Sequence, residues 1–165
     1  MRQIECRKIN LTLHEAADRF VETYYRSLNA YRSDIATYYA PAATMPNGQM
    51  TPVIIWNGNI VPDPASYQRM FVEEMPQSHY NTQSFDCHVI NHQYNPETSA
   101  TRQTEASKNI SILVTVSGKV VYGDYNEGET QGFSENFVLV PNSESSSGDR
   151  KAKEWLIQSQ NFRLV

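Results

Sequence analysis

Apolar positions repeat at helical spacing in the first part of the chain and alternate with polar ones in the second. Ala17, Phe20, Val21, Tyr24, Leu28 and Tyr31 fall on one helical stripe. Thr12-Leu13-His14-Glu15 has the form of a capping box, a hydroxyl at the N-cap and a Glu three residues on. The spacing predicts a helix from 13 to about 31, with residues 1–11 as an arm leading into it. Its stripe is aromatic and calls for a wide groove, such as one curved sheet face supplies. Ser33 or Asp34 caps a second short helix over 34–39, ended by Ala40-Pro41. A polar loop follows across 42–52, with a short strand at Thr44-Met45 and Pro46-Asn47-Gly48 inside it. The run Ile54-Ile55-Trp56-Asn57-Gly58-Asn59-Ile60-Val61 reads as a hairpin, because Asn and Gly both tolerate positive φ at its turn. Asp63 then caps a third helix that has Pro64 in its first position and ends near Met75, before Pro76.

From Tyr80 the period becomes two. Phe85, Cys87 and Val89 point one way, and Asp86, His88 and Ile90 the other. Ile110 to Val116 reads as a strand, Ser117-Gly118-Lys119 as a turn and Val120 to Tyr122 as the returning strand; Tyr125 to Gln131 reads as loop. Phe133 to Val140 and Glu154 to Leu164 are the last strands, the latter anchored by Trp155. Three polar stretches, near 42–52, 95–109 and 141–152, are longer than hairpin loops usually are. Helices first and a meander second predict an α+β fold, a curved antiparallel sheet packed on N-terminal helices, in one domain over 12–165.

Composition narrows the classes. Hydrophobic residues make up 39% and charged residues 19%, which suits a folded globular chain and excludes a disordered one. A net charge of -4 argues against a general nucleic-acid binder. The two cysteines, Cys6 and Cys87, lack metal-ligand spacing, and the N-terminus lacks the apolar core of a signal peptide; both point to a reduced, intracellular setting. No phosphate loop or nucleophile elbow is present, and His14, His79 and His92 are scattered. Neither a metal nor an organic cofactor is expected.

The order of elements carries a resemblance. Phe20-Val21-x-x-Tyr24-Tyr25, Ile55-Trp56-Asn57-Gly58-Asn59, Phe85-Asp86-Cys87, Leu113-Val114-x-x-Ser117-Gly118-x-Val120, Asn136-Phe137-x-Leu139 and Trp155-x-Ile157-x-Ser159-x-x-Phe162-Arg163 occur in sequence over residues 13–164. Together they resemble the nuclear transport factor 2-like fold, and more narrowly the small subunit of the heterodimeric nuclear mRNA export receptor, of the fungal mRNA transport regulator type. The resemblance implies a cone-shaped domain whose open sheet face docks on the related domain of a large subunit. It also implies nucleoporin Phe-Gly repeats engaged mainly through that partner, and residence in the nucleus and at the nuclear pore with shuttling to the cytoplasm. Two other functions fit the same fold: a homodimeric import factor, and a small dehydratase- or isomerase-like enzyme working inside the cone.

Candidate residues follow. Asp86 and His88 share one strand face and could form a general-base pair, although Phe85, Cys87 and Val89 supply the apolar face that would look into the cone. Arg163, Asn161, Ser159 and Ile157 alternate along the last strand and form one set; Leu156, Phe162 and Leu164 form the other, toward the helices. Asn136 and Val138 are assigned to the outer set of their strand, opposite Phe133, Phe137 and Leu139. The resemblance gives Arg163 an acidic residue of the partner as its counterpart. Arg102, Lys108, Arg150, Lys151 and Lys153, in or beside the polar stretches, are candidates for phosphate contacts with RNA or a ribosomal particle.

Overall fold

The computed structural model describes residues 2–91, 110–143 and 153–165. The first helix, α1, runs from Arg2 to Ala30. It begins well before Thr12, so the capping-box pattern lies inside the helix and not at its start. No glycine or proline precedes Pro41, and nothing local interrupts the helix there. A 3-10 helix over Arg32–Tyr38 follows without any side-chain cap, so neither Ser33 nor Asp34 plays that part. Ala43–Thr44 (β1) pairs with Met50–Thr51 (β2) in a small separate sheet. Val53–Trp56 (β3) and Asn59–Val61 (β4) form the expected hairpin, with Asn57 at φ 48 and Gly58 at φ 83 in its turn. Asp63 accepts a hydrogen bond from the Ser66 amide at 2.7 Å and caps α2, Pro64–Arg69. The same rod then widens into one π-helical turn, Met70–Glu74.

The second half is a meander of β5 (Ser78–Asn91), β6 (Ser111–Tyr122), β7 (Glu129–Pro141) and β8 (Trp155–Leu164). The main sheet has six strands in the order β4-β3-β8-β7-β6-β5. All its pairings are antiparallel except β3 with β8, which run parallel and join the hairpin to the end of the chain. Breaks in register at Thr82/Ser84, Val89/Asn91 and Val138/Leu139 bend the strands around the helices.

Two expectations fail here. β6 crosses Ser117-Gly118-Lys119 without turning, and Gly118 pairs with both Thr82 and Phe133. A Cβ at 118 would lie 2.2 Å from the Asn81 carbonyl oxygen and 2.9 Å from the Phe133 ring, so the glycine serves close packing and not a turn. The segment 125–131 is loop only in part, since β7 begins at Glu129. The polar stretch 95–109 lies outside the described residues, as does most of 141–152.

The helices cover one sheet face. Phe20 and Tyr24 meet Phe137 edge-on at 5.2 and 5.1 Å, Tyr25 meets Phe133 at 5.6 Å, and Phe71 meets Tyr80 at 6.4 Å. Trp56 stacks on Phe162 at 3.9 Å. Arg32 ties the end of α1 to the π-helical turn: its guanidinium donates to the carbonyls of Leu28, Phe71, Met75 and Pro76 and to Ser78 Oγ. A cation suits these helix C-termini, where carbonyls lack helical partners.

Candidate functional site

The uncovered face of the main sheet is the candidate site. Register places its side chains in lateral rows. One row reads His88, Leu113, Val138, Ser159, Val53; the next reads Asp86, Thr115, Asn136, Asn161, Ile55, Ile60; a third reads Ser84, Ser117, Ser134, Arg163. None of these residues is buried, whereas Ile54, Val114, Val116, Phe133, Phe137, Gln160 and Phe162, one position out of phase with them, are. The face has an uncharged middle, with Thr115 Oγ1 donating to Asn136 Oδ1 at 2.8 Å and Ser84 and Ser117 bonded at 2.8 Å. Charge sits toward its margins: Asp86 with His88 at one, Arg163 at another, and the exposed Lys119 in the row beyond Ser117.

Arg163, Asn161, Ser159, Asn136 and Val138 thus share the open face, as their alternation implies. Ile157 does not. It is fully buried in the core, pairs with Leu139 and accepts the Ala40 amide at 2.9 Å. The cause is the break in register at Val138/Leu139: Ser159 pairs with Val138 and Ile157 with Leu139, leaving Gln158 as the extra residue. Each bulged residue reverses the face of everything beyond it. Leu156, paired with Val140, is moved out of the Phe162 set by the same slip.

Asp86 and His88 lie on the open face and hold each other at 3.1 Å, with side chains 64% and 70% exposed. They point away from the cone, where a general-base pair would have to work. A small cleft beside them is lined by Leu13, His14, Cys87 and Val89, where the Cys87 sulfur lies 3.5 Å from His14 Nδ1 and burial pushes the thiol upward. Among the described residues no group of three or more His, Cys, Asp or Glu is placed to hold a metal ion. Of the basic candidates only Lys153 is described. Its ammonium donates to Thr37 Oγ1 at 2.7 Å and stands 4.3 Å from the Tyr38 ring centre, so a phosphate would have to compete with both. Arg102, Lys108, Arg150 and Lys151 lie outside the described residues.

Inside the cone is a group that the sequence reading passed over. Glu135, on β7, is wholly buried, with no cation beside it among the described residues. Its oxygens accept from Tyr25 Oη at 2.5 Å and Gln160 Nε2 at 2.5 Å. Gln160 in turn donates toward Tyr24 and Tyr67 at 2.9 and 3.0 Å and accepts from Tyr39. Burial raises the Glu135 carboxyl from 4.5 to about 7, partly opposed by its two hydrogen bonds. Burial likewise drives the hydroxyls of Tyr24, Tyr25, Tyr39 and Tyr67 well above their ordinary value. The signal was present in the strand: Glu135 stands midway between Phe133 and Phe137 and must share their face. Tyrosine and phenylalanine rings pack around this network from both helices and the sheet.

The description "Nuclear transport factor 2 (NTF2) domain" matches residues 16–164. The chain belongs to the NTF2 domain family. Within the family it is 30% identical over 151 residues to NTF2-related export protein 2 of Mus musculus, covering 90% of this chain and 84% of that one. Among solved structures it is similar to a chain of the Chaetomium thermophilum Mex67 NTF2-like domain complexed with Mtr2, with TM-score 0.76, 29% identity, and 92% and 98% of the two chains covered. A structure of Mtr2 aligns with TM-score 0.71 and 26% identity over 92% of this chain and 98% of that one. A scytalone dehydratase-like protein of Novosphingobium aromaticivorans shares the NTF2-like fold at TM-score 0.63 and 8% identity, over 96% of this chain and 87% of that one, and that likeness is one of fold alone. Likeness in both sequence and structure therefore lies with export and transport factors.

Proposed function

We propose that this chain is the non-catalytic small subunit of a heterodimeric mRNA export receptor. Its open sheet face docks on the related NTF2-like domain of a large, Mex67-type subunit, and the pair supports export of mRNA, and of ribosomal particles, through the nuclear pore. The observation that carries the reading is the uncovered sheet face itself, with an uncharged middle and Arg163 at its corner. A half-layered sheet with Leu113, Val138 and Ile55 on its bare side is an association surface in form. The likeness to Mtr2 supplies the kind of partner. The tyrosine side chains bonded and packed around Glu135 and Gln160 favour a binding role over an enzymatic one.

On this reading Arg163, Asn161, Ser159, Asn136 and Val138 contact the partner, with an acidic partner residue opposite Arg163. Arg163 is exposed and pairs through its backbone with Ser134, and no hydrogen bond or ion pair of its side chain is seen among the described residues. Arg163→Glu therefore abolishes co-purification with the co-expressed large subunit and leaves the melting temperature of the free chain within a degree or two; a mutant that still co-purifies at full yield refutes the assignment. The complex resides in the nucleus and at the pore and shuttles to the cytoplasm, and nucleoporin Phe-Gly repeats bind mainly through the large subunit. RNA or ribosomal contact falls to Arg102, Lys108, Arg150, Lys151 and Lys153. Neutralising Arg150, Lys151 and Lys153 together lowers the RNA affinity of the heterodimer and flattens its salt dependence; unchanged affinity removes these residues from the role.

A further inference from the structure

The row of Asn136 and Asn161 does not end at β8. It continues through Ile55 on β3 to Ile60 on β4, the outermost strand. Ile60 is 80% exposed, on a three-residue edge strand where a charged side chain would be the usual protection against stray pairing. Ile55 is its direct cross-strand neighbour, and Val53 lies beside it on the same face. No Lys or Arg occurs from Val53 to Asp63, so the hairpin itself carries no cation for a phosphate-bearing partner.

The corner is also held stiffly. The Asn57 amide donates to the Phe162 carbonyl at 2.9 Å, and Asn57 Oδ1 accepts from the Leu164 amide at 2.9 Å. On the opposite side of the hairpin Trp56 lies flat on Phe162. An exposed apolar side chain on a fixed backbone is pre-organised for contact, since little of its support must be ordered on binding.

Size points the same way. A stable interface takes roughly 800 Å² from each partner, a patch about 28 Å on a side. Strands lie about 4.8 Å apart, so β5 to β8 give a row only about 14 Å wide, while continuing to β4 gives about 24 Å.

We infer that the Ile55–Ile60 corner of the β3–β4 hairpin is an apolar anchor of the docking surface, seated against apolar side chains on the sheet of the NTF2-like large subunit. This rests on the heterodimer reading above and extends its contact set from β7 and β8 to the far edge of the sheet. The arrangement gives the surface an apolar end at Ile55 and Ile60, an uncharged middle at Asn136 and Asn161, and charged corners at Arg163 and Asp86.

The test is quantitative binding between the intact chain and the cognate Mex67-type large subunit, by calorimetry or interferometry. Wild type, Ile60→Asp, the milder Ile60→Ser and Arg163→Glu are compared, with the melting temperature of each free chain as control. The expected result is a Kd raised at least about tenfold by Ile60→Asp, a smaller rise for Ile60→Ser, and unchanged melting of both, as suits a hot-spot anchor that is exposed in the free chain. Wild-type Kd for both Ile60 variants, while Arg163→Glu loses binding, overturns the anchor and leaves the heterodimer standing. No binding by the wild-type chain overturns both.

Discussion

At position 118 the smallest side chain decides how two strands meet. β5 breaks register at Thr82/Ser84 directly opposite Gly118, and the Asn81 carbonyl occupies the space a methyl group would need. Gly118→Ala therefore forces backbone apart on one side and the Phe133 ring on the other. A loss of about 1–3 kcal/mol is expected, in the range of overpacked core substitutions, and urea unfolding of the pure chain measures it. Gly123, by contrast, meets nothing within 4 Å and takes φ 89, so alanine there meets only backbone strain. The Ser-Gly-Lys triplet reads as a turn because composition alone cannot separate a glycine needed for φ from one needed for space. Only the neighbouring strand, distant in sequence, distinguishes them. Asn57-Gly58 was legible for the converse reason, since both residues adopt the positive φ that their types favour.

At the scale of elements, β7 and β8 carry two kinds of information on opposite faces. Outward they present Asn136, Asn161 and Arg163; inward they hold Glu135 and Gln160 among the tyrosines. Glu135 makes folding proton-linked. Its carboxyl titrates near 4.5 when unfolded and near 7 when folded, so between those values the folded chain binds more protons than the unfolded one. Stability from this group is then full below about 4.5, falls as pH rises to about 7 and is level above that. The fall is on the order of 3 kcal/mol as an upper figure, since each unit of pKa shift corresponds to about 1.4 kcal/mol. Glu135→Gln keeps two hydrogen-bonding atoms, one accepting from Gln160 and one donating to Tyr25 Oη, and has no proton to lose. It should unfold with a flatter pH profile between 5 and 7 and exceed wild type in stability at pH 8. Parallel profiles for the two proteins would show that Glu135 does not titrate in this range. Alternation made both faces of β7 readable from sequence, Glu135 included. β8 was readable only as far as its bulge, because the slip that buries Ile157 is set by pairing with β7 and leaves no mark in the local pattern.

For the whole molecule, the helices layer one face of a six-stranded sheet, and among the described residues they leave the other exposed around Thr115, Asn136, Asn161 and Arg163. That imbalance separates the possible assemblies by their thermodynamics. A homodimeric import factor would cover the bare face with a second copy, and its melting temperature would climb with its own concentration. A heterodimer subunit gains nothing from its own concentration and gains by RT ln(1 + [L]/Kd) from its partner. With the free large-subunit domain at 100 times Kd the gain is about 2.7 kcal/mol. For a chain of this size about 1 kcal/mol moves the midpoint by roughly 2–4 °C, so the partner should raise melting by roughly 5–10 °C. Arg163→Glu should show no such rise while melting alone as wild type does, because Arg163 makes no side-chain contact that the fold depends on among the described residues. The decisive comparison is a melting series in which the chain and the partner are varied separately. Dependence on the chain alone would establish the homodimer and set aside the export subunit; dependence on the partner alone is what a half-covered sheet with an apolar end and a charged corner should give.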